Sequence, residues 1–282
     1  MPAPDRAAHE RPVAVFDSGV GGLTVLHELL VSLPSEDFVY LGDTARFPYG
    51  DKSQAQLRAF ALEIAEHLLA ADAKLLVVAC GSATAAALPL LQERLAASGV
   101  GVLGVVAPAA RLATEATRNG RIGLLATPAT VASGAFATAI AAAAPDVELE
   151  SVACPDLAPI IQSGFPFDER VVETVRRYVA PLRAADVDTV ILGSTHYPLV
   201  APMLQRMLGR GVRLVTSGAG VVRDVERTLT ERDLLSRGSG EGAYGFHCTG
   251  DVEAFRALGT RFLQMPLGDV RRVVLEPLEV AA

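Results

Sequence analysis

Cysteine is scarce in this 282-residue chain: Cys80, Cys154 and Cys248 stand alone, with no CxxC and no paired framework. Isolated thiols exclude a disulfide scaffold and point to a reducing, cytoplasmic compartment. Charge is scarce too. One residue in five is charged and the net charge is −7, which argues against nucleic acid or an anionic membrane surface as the main partner. No apolar run approaches the roughly 20 residues of a bilayer span. The polar, proline-containing start, residues 1–12, lacks the apolar segment of a signal peptide, and residues 1–10 read as a flexible tail. The histidines His9, His27, His67, His196 and His247 form no ligand-spaced group, so no metal is expected. What the chain has in plenty is apolar side chains, half of all residues, enough for one large domain or two compact ones.

Short β-branched runs alternate with longer Ala- and Leu-rich stretches of helical period, the pattern of an α/β protein with mostly parallel sheets. Strands are predicted at 13–16, 38–41, 75–79, 101–106, 122–125, 147–152, 190–192, 213–215 and 244–247, with helices over 23–33 and 54–71. Residues 232–242 read as an exposed Gly/Ser-rich loop. Two strand ends match: Leu76-Val77-Val78-Ala79-Cys80-Gly81-Ser82 and Val190-Ile191-Leu192-Gly193-Ser194-Thr195-His196. Each closes on a small nucleophile-type residue and a hydroxyl, then runs into a helical stretch. A second pair joins the turn after Phe16 to Ala126-Thr127-Pro128. Two such pairs point to related α/β halves meeting at one site, with the polar residues at the carboxyl ends of strands where ligands bind.

The glycine-rich turn Asp17-Ser18-Gly19-Val20-Gly21-Gly22 is not GxGxxG, and no Gly-Lys-Ser/Thr follows, so no nucleotide cofactor is implied. Its glycines would let backbone approach a small anion at a helix N-terminus; a tight turn with Ser18 as helix cap fits the same residues. Asp17 closes its strand facing the site. In Gly42-Asp43-Thr44-Ala45-Arg46-Phe47-Pro48-Tyr49-Gly50, the amides around Tyr49 and Gly50 suit a carboxylate, with an ordinary surface loop as the alternative. Cys80 ends its strand where Gly81 and Ser82 open a helix, and a helix N-terminus favours the thiolate. Cys154 and Cys248 read as structural. Ser194 lies two residues from His196 and no GxSxG elbow is present, so a Ser-His-Asp hydrolase is not supported.

These segments together resemble the glutamate racemase family of the cofactor-independent aspartate/glutamate racemase superfamily, over about residues 11 to 265. The resemblance rests on residues 16–22, 42–50, Gly193-Ser194-Thr195-His196-Tyr197-Pro198-Leu199 and Thr249-Gly250-Asp251. It implies two pseudo-symmetric α/β domains, 11–105 with 216–282 and 106–215, with the active site between them. It implies racemisation of glutamate for peptidoglycan, no cofactor, a small-molecule acid as partner and a homodimer. Two cysteines flank Cα in the family, one thiolate taking the proton while the other thiol returns one. Cys80 matches the first position and Ser194 the second. Asp17, Ser18, Tyr49, Gly50, Ser82, Thr195 and His196 match substrate-contacting or acid/base-supporting positions.

The departures from the family pattern fall at the site. Gly81 replaces an asparagine that would hold the α-carboxylate, and Ser194 replaces the second cysteine. Ala107 and Gln162 stand for glutamates, and Thr216 for an aspartate. A serine needs a strong neighbouring base to match a thiol, and His196 is the candidate for it. The expected function is a glutamate racemase, impaired or one-sided, with Cys80 handling D-glutamate. A single-cysteine relative, either a malonate-type decarboxylase or a racemase of another amino acid, and a non-catalytic ligand-binding homologue are the alternatives.

Overall fold

The computed structural model describes residues 7–164 and 168–277. Most of the tail expected over 1–10 lies outside the described residues; Ala8–Glu10 form a single 3-10 turn. The chain runs through β1 (Val13–Asp17), α1 (Leu23–Ser32), β2 (Phe38–Gly42), α2 (Gln54–Leu69), β3 (Leu75–Val78), α3 (Gly81–Leu95) and β4 (Gly101–Gly104). It continues through α4 (Val106–Ala116), β5 (Arg121–Ala126), α5 (Pro128–Ala132), α6 (Ala135–Ala143), β6 (Glu148–Ala153), α7 (Leu157–Gln162), α8 (Glu169–Ala184), β7 (Thr189–Leu192), α9 (Ala201–Leu208) and β8 (Arg213–Thr216). Then α10 (Ser217–Glu231), β9 (Tyr244–Cys248), α11 (Val252–Leu263) and β10 (Val270–Arg272) complete it.

The strands form a six-stranded sheet of order β10-β9-β2-β1-β3-β4 and a four-stranded sheet of order β6-β5-β7-β8. Every pairing is parallel. The expected α/β class with parallel sheets is what the chain adopts. β1, β2, β3 and β7 are buried at every position, as continuous apolar runs covered by helices on both faces must be. The run β2-β1-β3-β4 in the first sheet and β6-β5-β7-β8 in the second have the same order, so the two matching strand ends seen in the sequence are topologically equivalent.

Register fixes where the polar ends fall. Phe16 pairs with Val78 and Asp17 with Gly42, which brings Asp17 and Cys80 to one edge of the first sheet. Leu125 pairs with Leu192, placing Thr127 and Ser194 at the same edge of the second. At the opposite end of the first sheet, Lys74 and Glu36 form a buried ion pair at 2.5 Å. The Lys74 ammonium also donates to His9 O at 2.8 Å, and the Ser236 amide donates to Glu36 at 2.6 Å. Thus one pair ties the segment before β1 and the loop before β9 to the sheet.

Most element ends differ from the sequence expectation by a residue or two. The run 101–106 stops being a strand at Gly104, because Val106 already begins α4. Val147 precedes β6. β10 was not expected: it is a three-residue edge strand, Val-Arg-Arg, with two exposed arginines and no apolar alternation to announce it. Residues 232–243 carry no helix or strand and are largely exposed, as expected. No helix among the described residues is long and apolar enough to cross a membrane.

Candidate active site

A cavity of about 290 Å³ opens where the carboxyl ends of both sheets meet. The first sheet contributes Ser18, Phe47, Pro48, Tyr49, Gly50, Asp51, Cys80, Gly81 and Ser82. The second contributes Thr127, Pro128, Pro155, Ala158, Pro159, Gly193, Ser194, Thr195 and His196. Among the described residues no lysine or arginine lines it. Every site residue singled out in the sequence borders this space except Asp17, which lies directly behind it.

Cys80 is the N-cap of α3, and its sulfur accepts a hydrogen bond from the Ala83 amide at 3.5 Å. The helix N-terminus was expected to favour the thiolate. Burial acts more strongly: it pushes the Cys80 thiol up to about 12, the Asp17 charge adds to the rise, and the Ala83 amide and Ser18 only partly oppose it. The resting site therefore holds a protonated thiol at neutral pH.

Asp17 is fully buried at the end of β1. Its carboxylate accepts from the Gly19 amide at 3.0 Å, from the Ser18 hydroxyl at 3.4 Å and, across to the second sheet, from the Thr195 hydroxyl at 3.2 Å. The amides of the glycine-rich turn are thus used on the protein's own carboxylate. Burial still raises the Asp17 carboxyl above the ordinary range. The cap alternative for Ser18 does not hold, since Gly22 is the N-cap of α1 and no side chain caps it. Behind the turn, the Tyr40 hydroxyl donates to Gly19 O at 2.7 Å.

The loop after β2 is clamped from below. Asp43, fully buried, accepts from the Tyr49 hydroxyl and the Arg46 Nε, each at 2.5 Å, and from the Thr249 hydroxyl at 2.7 Å. Arg46 also pairs with Glu63 and lies over the Phe60 ring at 4.1 Å. Among the described residues neither the Tyr49 nor the Gly50 amide has an acceptor within the protein. Both are free to hold a carboxylate in the cavity.

The second sheet places Ser194 after β7. Its hydroxyl accepts from the His196 backbone amide at 3.4 Å. The His196 ring does not serve Ser194. It is packed between Phe47 and Phe262, with centroids at 5.5 and 5.2 Å, and its Nε2 is 2.8 Å from Gln162 Oε1. Burial lowers His196 to about 3, so it stays a neutral imidazole. Residue 21 must be glycine to let this ring and Thr195 in, since a Cβ there would lie 2.4 Å from His196 Nδ1 and from Thr195 Oγ1. The base expected for Ser194 is therefore turned away from it.

The departures do not all fall at the site as expected: Gln162 is the partner of His196, but Ala107 is exposed on α4, and Thr216 borders a separate cavity of about 90 Å³ that also touches Ser194 and Thr195. Cys154 and Cys248 are buried outside the main cavity. Sequence reasoning did not assign Thr127 and Thr130, whose hydroxyls form a triangle with Ser82: 2.8 Å for Ser82–Thr127, 3.2 Å for Ser82–Thr130 and 3.0 Å for Thr127–Thr130. The signal was present, since Ala126-Thr127-Pro128 had been matched to the Asp17 turn.

The chain is similar to known proteins over most of its length. The Asp/Glu/Hydantoin racemase family pattern matches residues 25–225. A glutamate racemase of Beutenbergia cavernae is 45% identical over 276 residues, covering 94% of both chains. The structure is similar to a glutamate racemase isoform of Bacillus anthracis, with a TM-score of 0.90, 34% identity, and 95% of this chain and 98% of that one covered. It is also similar to a Francisella tularensis glutamate racemase solved with D-glutamate, at a TM-score of 0.88 and 32% identity, covering 95% and 99%.

Proposed function

We propose the function of this chain from one premise: it belongs to the aspartate, glutamate and hydantoin racemase family. It is a glutamate racemase, interconverting L- and D-glutamate without a cofactor and serving peptidoglycan synthesis from the cytoplasm. One observation carries the assignment to this cavity. Cys80 and Ser194, at the ends of the equivalent strands β3 and β7, open onto the same space from opposite sheets. The division into 11–105 with 216–282 and 106–215 belongs to the same reading, supported by the way each sheet draws its strands from one of these units. So does a homodimer, for sedimentation to check.

The two faces are unequal. Cys80, with Asp17 beside it, first gives up its thiol proton to water, and the thiolate takes the α-proton of the enantiomer whose Cα–H faces it; the family resemblance makes this D-glutamate. The electron pair left on Cα is delocalised into the α-carboxylate. Return of a proton by the Cys80 thiol, after that proton has exchanged with solvent, gives exchange with retention. Return from the opposite face falls to the Ser194 hydroxyl, a far weaker acid with a neutral histidine turned from it. Tyr49 and Gly50 amides and the Ser18, Ser82 and Thr195 hydroxyls hold the substrate's polar groups.

Enantiomers have equal free energies, so inversion cannot run in one direction only. The asymmetry emerges as exchange outpacing inversion. Incubation of D- and L-glutamate separately in D2O, with deuterium incorporation and optical rotation followed together, tests this. D-glutamate should take up deuterium faster than it inverts, and L-glutamate should not. Equal exchange from both, matched by inversion, would refute the one-sided reading.

A further inference from the structure

The carbonyl of Gly193 occupies the place where a side chain at residue 81 would begin. A Cβ there would lie 2.5 Å from that oxygen, closer than real Cβ atoms come. Gly193 is itself held against the second sheet. Its amide donates to Leu125 O at 2.8 Å, and a Cβ on Gly193 itself would meet Leu124 and Ala126 side chains at 2.8 and 3.0 Å. On one flank of this contact Ser82 reaches Thr127 and Thr130. On the other, Thr195 is bonded to Asp17, and its carbonyl accepts from Thr24 at 3.0 Å. The first turn of α3 and the turn after β7 are pressed together with no side chain between them.

The two residues adjoining this contact are the ones that face each other in the proposed reaction: Cys80 precedes Gly81, and Ser194 follows Gly193. An oxygen is smaller than a sulfur and sits on a shorter bond, so a serine hydroxyl reaches less far than a thiol from the same backbone. We propose that Gly81 and Ser194 are a matched pair, in which the missing side chain at 81 lets the two turns close and so carries the short hydroxyl up to the substrate Cα. This rests on the racemase reading of the cavity and makes Gly81 a positioning residue. The inverting step balances with water alone. The proton removed goes to the Cys80 sulfur, the Cα electron pair takes the Ser194 hydroxyl proton, water returns a proton to the serine oxygen, and the hydroxide so left takes the proton from the Cys80 thiol, which restores both residues.

A matched pair fails when either member is changed alone. Gly81→Asn pushes the turns apart and leaves the serine short; Ser194→Cys puts a sulfur into a space closed for oxygen. The double change restores width and reach together. The test is a double-mutant cycle on D-glutamate in D2O, read as the ratio of inversion to exchange. That ratio is unmoved by loss of folded protein, because both rates scale with it. Each single change should leave the ratio level or lower it, and the double should exceed the product of the singles by about tenfold, within the range of coupling between contacting residues. Gly81→Ala adds only the Cβ and replaces Gly81→Asn in the cycle if the latter does not fold, with about threefold coupling expected. A full gain from Ser194→Cys alone, or simple multiplication of the single effects with exchange intact, overturns the pairing and leaves the racemase reading standing. Absence of exchange in every protein of the cycle overturns both.

Discussion

Cys80 and His196 are pushed in opposite directions by the same cause, burial without a compensating opposite charge. For the thiol, the base is the deprotonated form, and its population below about 12 grows roughly tenfold per pH unit. Exchange from D-glutamate should therefore climb steadily from pH 7 to 9; a plateau at neutral pH would mean that substrate lowers the thiol. Cys80→Ala should cut exchange by at least ~100-fold, the lower end for a positioned acid or base, while Ser194→Ala should alter it only a few-fold. His196 acts on stability. Its folded value is depressed from 6.5 to about 3, so its contribution is whole above 6.5 and is lost as pH falls through 3. The slope it adds is at most about 1.4 kcal/mol per pH unit. Urea unfolding of wild type and His196→Asn between pH 7 and 4 should show the wild type losing stability faster; parallel losses would place His196 in solvent contact.

At the scale of the element, the loop after β2 is held as one piece by a buried carboxylate. Tyr49→Phe leaves Asp43 one donor short, which costs about 1–3 kcal/mol. It also frees the Tyr49 and Gly50 amides to wander, so glutamate should bind more weakly by calorimetry even where the protein remains folded. Unchanged affinity would show that these amides do not hold the substrate. Much of this element was readable beforehand, because a Gly-Asp-Thr end, a proline and a Tyr-Gly pair between regular elements mark a shaped turn. The strand ends carrying Cys80 and Ser194 were readable for a similar reason: apolar runs stopped by small polar residues. The Gln162–His196 bond was not, since it joins α7 to the turn after β7 and depends on which way a ring is packed. Nor was the use of the glycine-turn amides by Asp17, since a sequence does not reveal whether an anion comes from the chain or from a ligand. β10 was too short and too charged to carry a period.

Across the whole molecule, the large sheet is fastened at the end opposite the site. Lys74 and Glu36 are both buried, and Glu36 also takes the Ser236 amide. Lys74→Met strips a buried carboxylate of its partner and should cost about 3–5 kcal/mol in unfolding free energy. The exchange rate per folded molecule should be preserved, which activity normalised to the native fraction will check. Repetition of one strand order in both sheets explains why a motif found in one half located its counterpart in the other.

Among the described residues no lysine or arginine lines the cavity, and this has a consequence for traffic. A dicarboxylate arriving there meets hydroxyls and amides, with no opposite charge to draw it in from a distance or detain it afterwards. Encounter then follows the abundance of glutamate rather than the ionic strength. A reaction whose two ends are equal in free energy gains nothing from a deep well on either side, and a site without cations keeps both wells shallow.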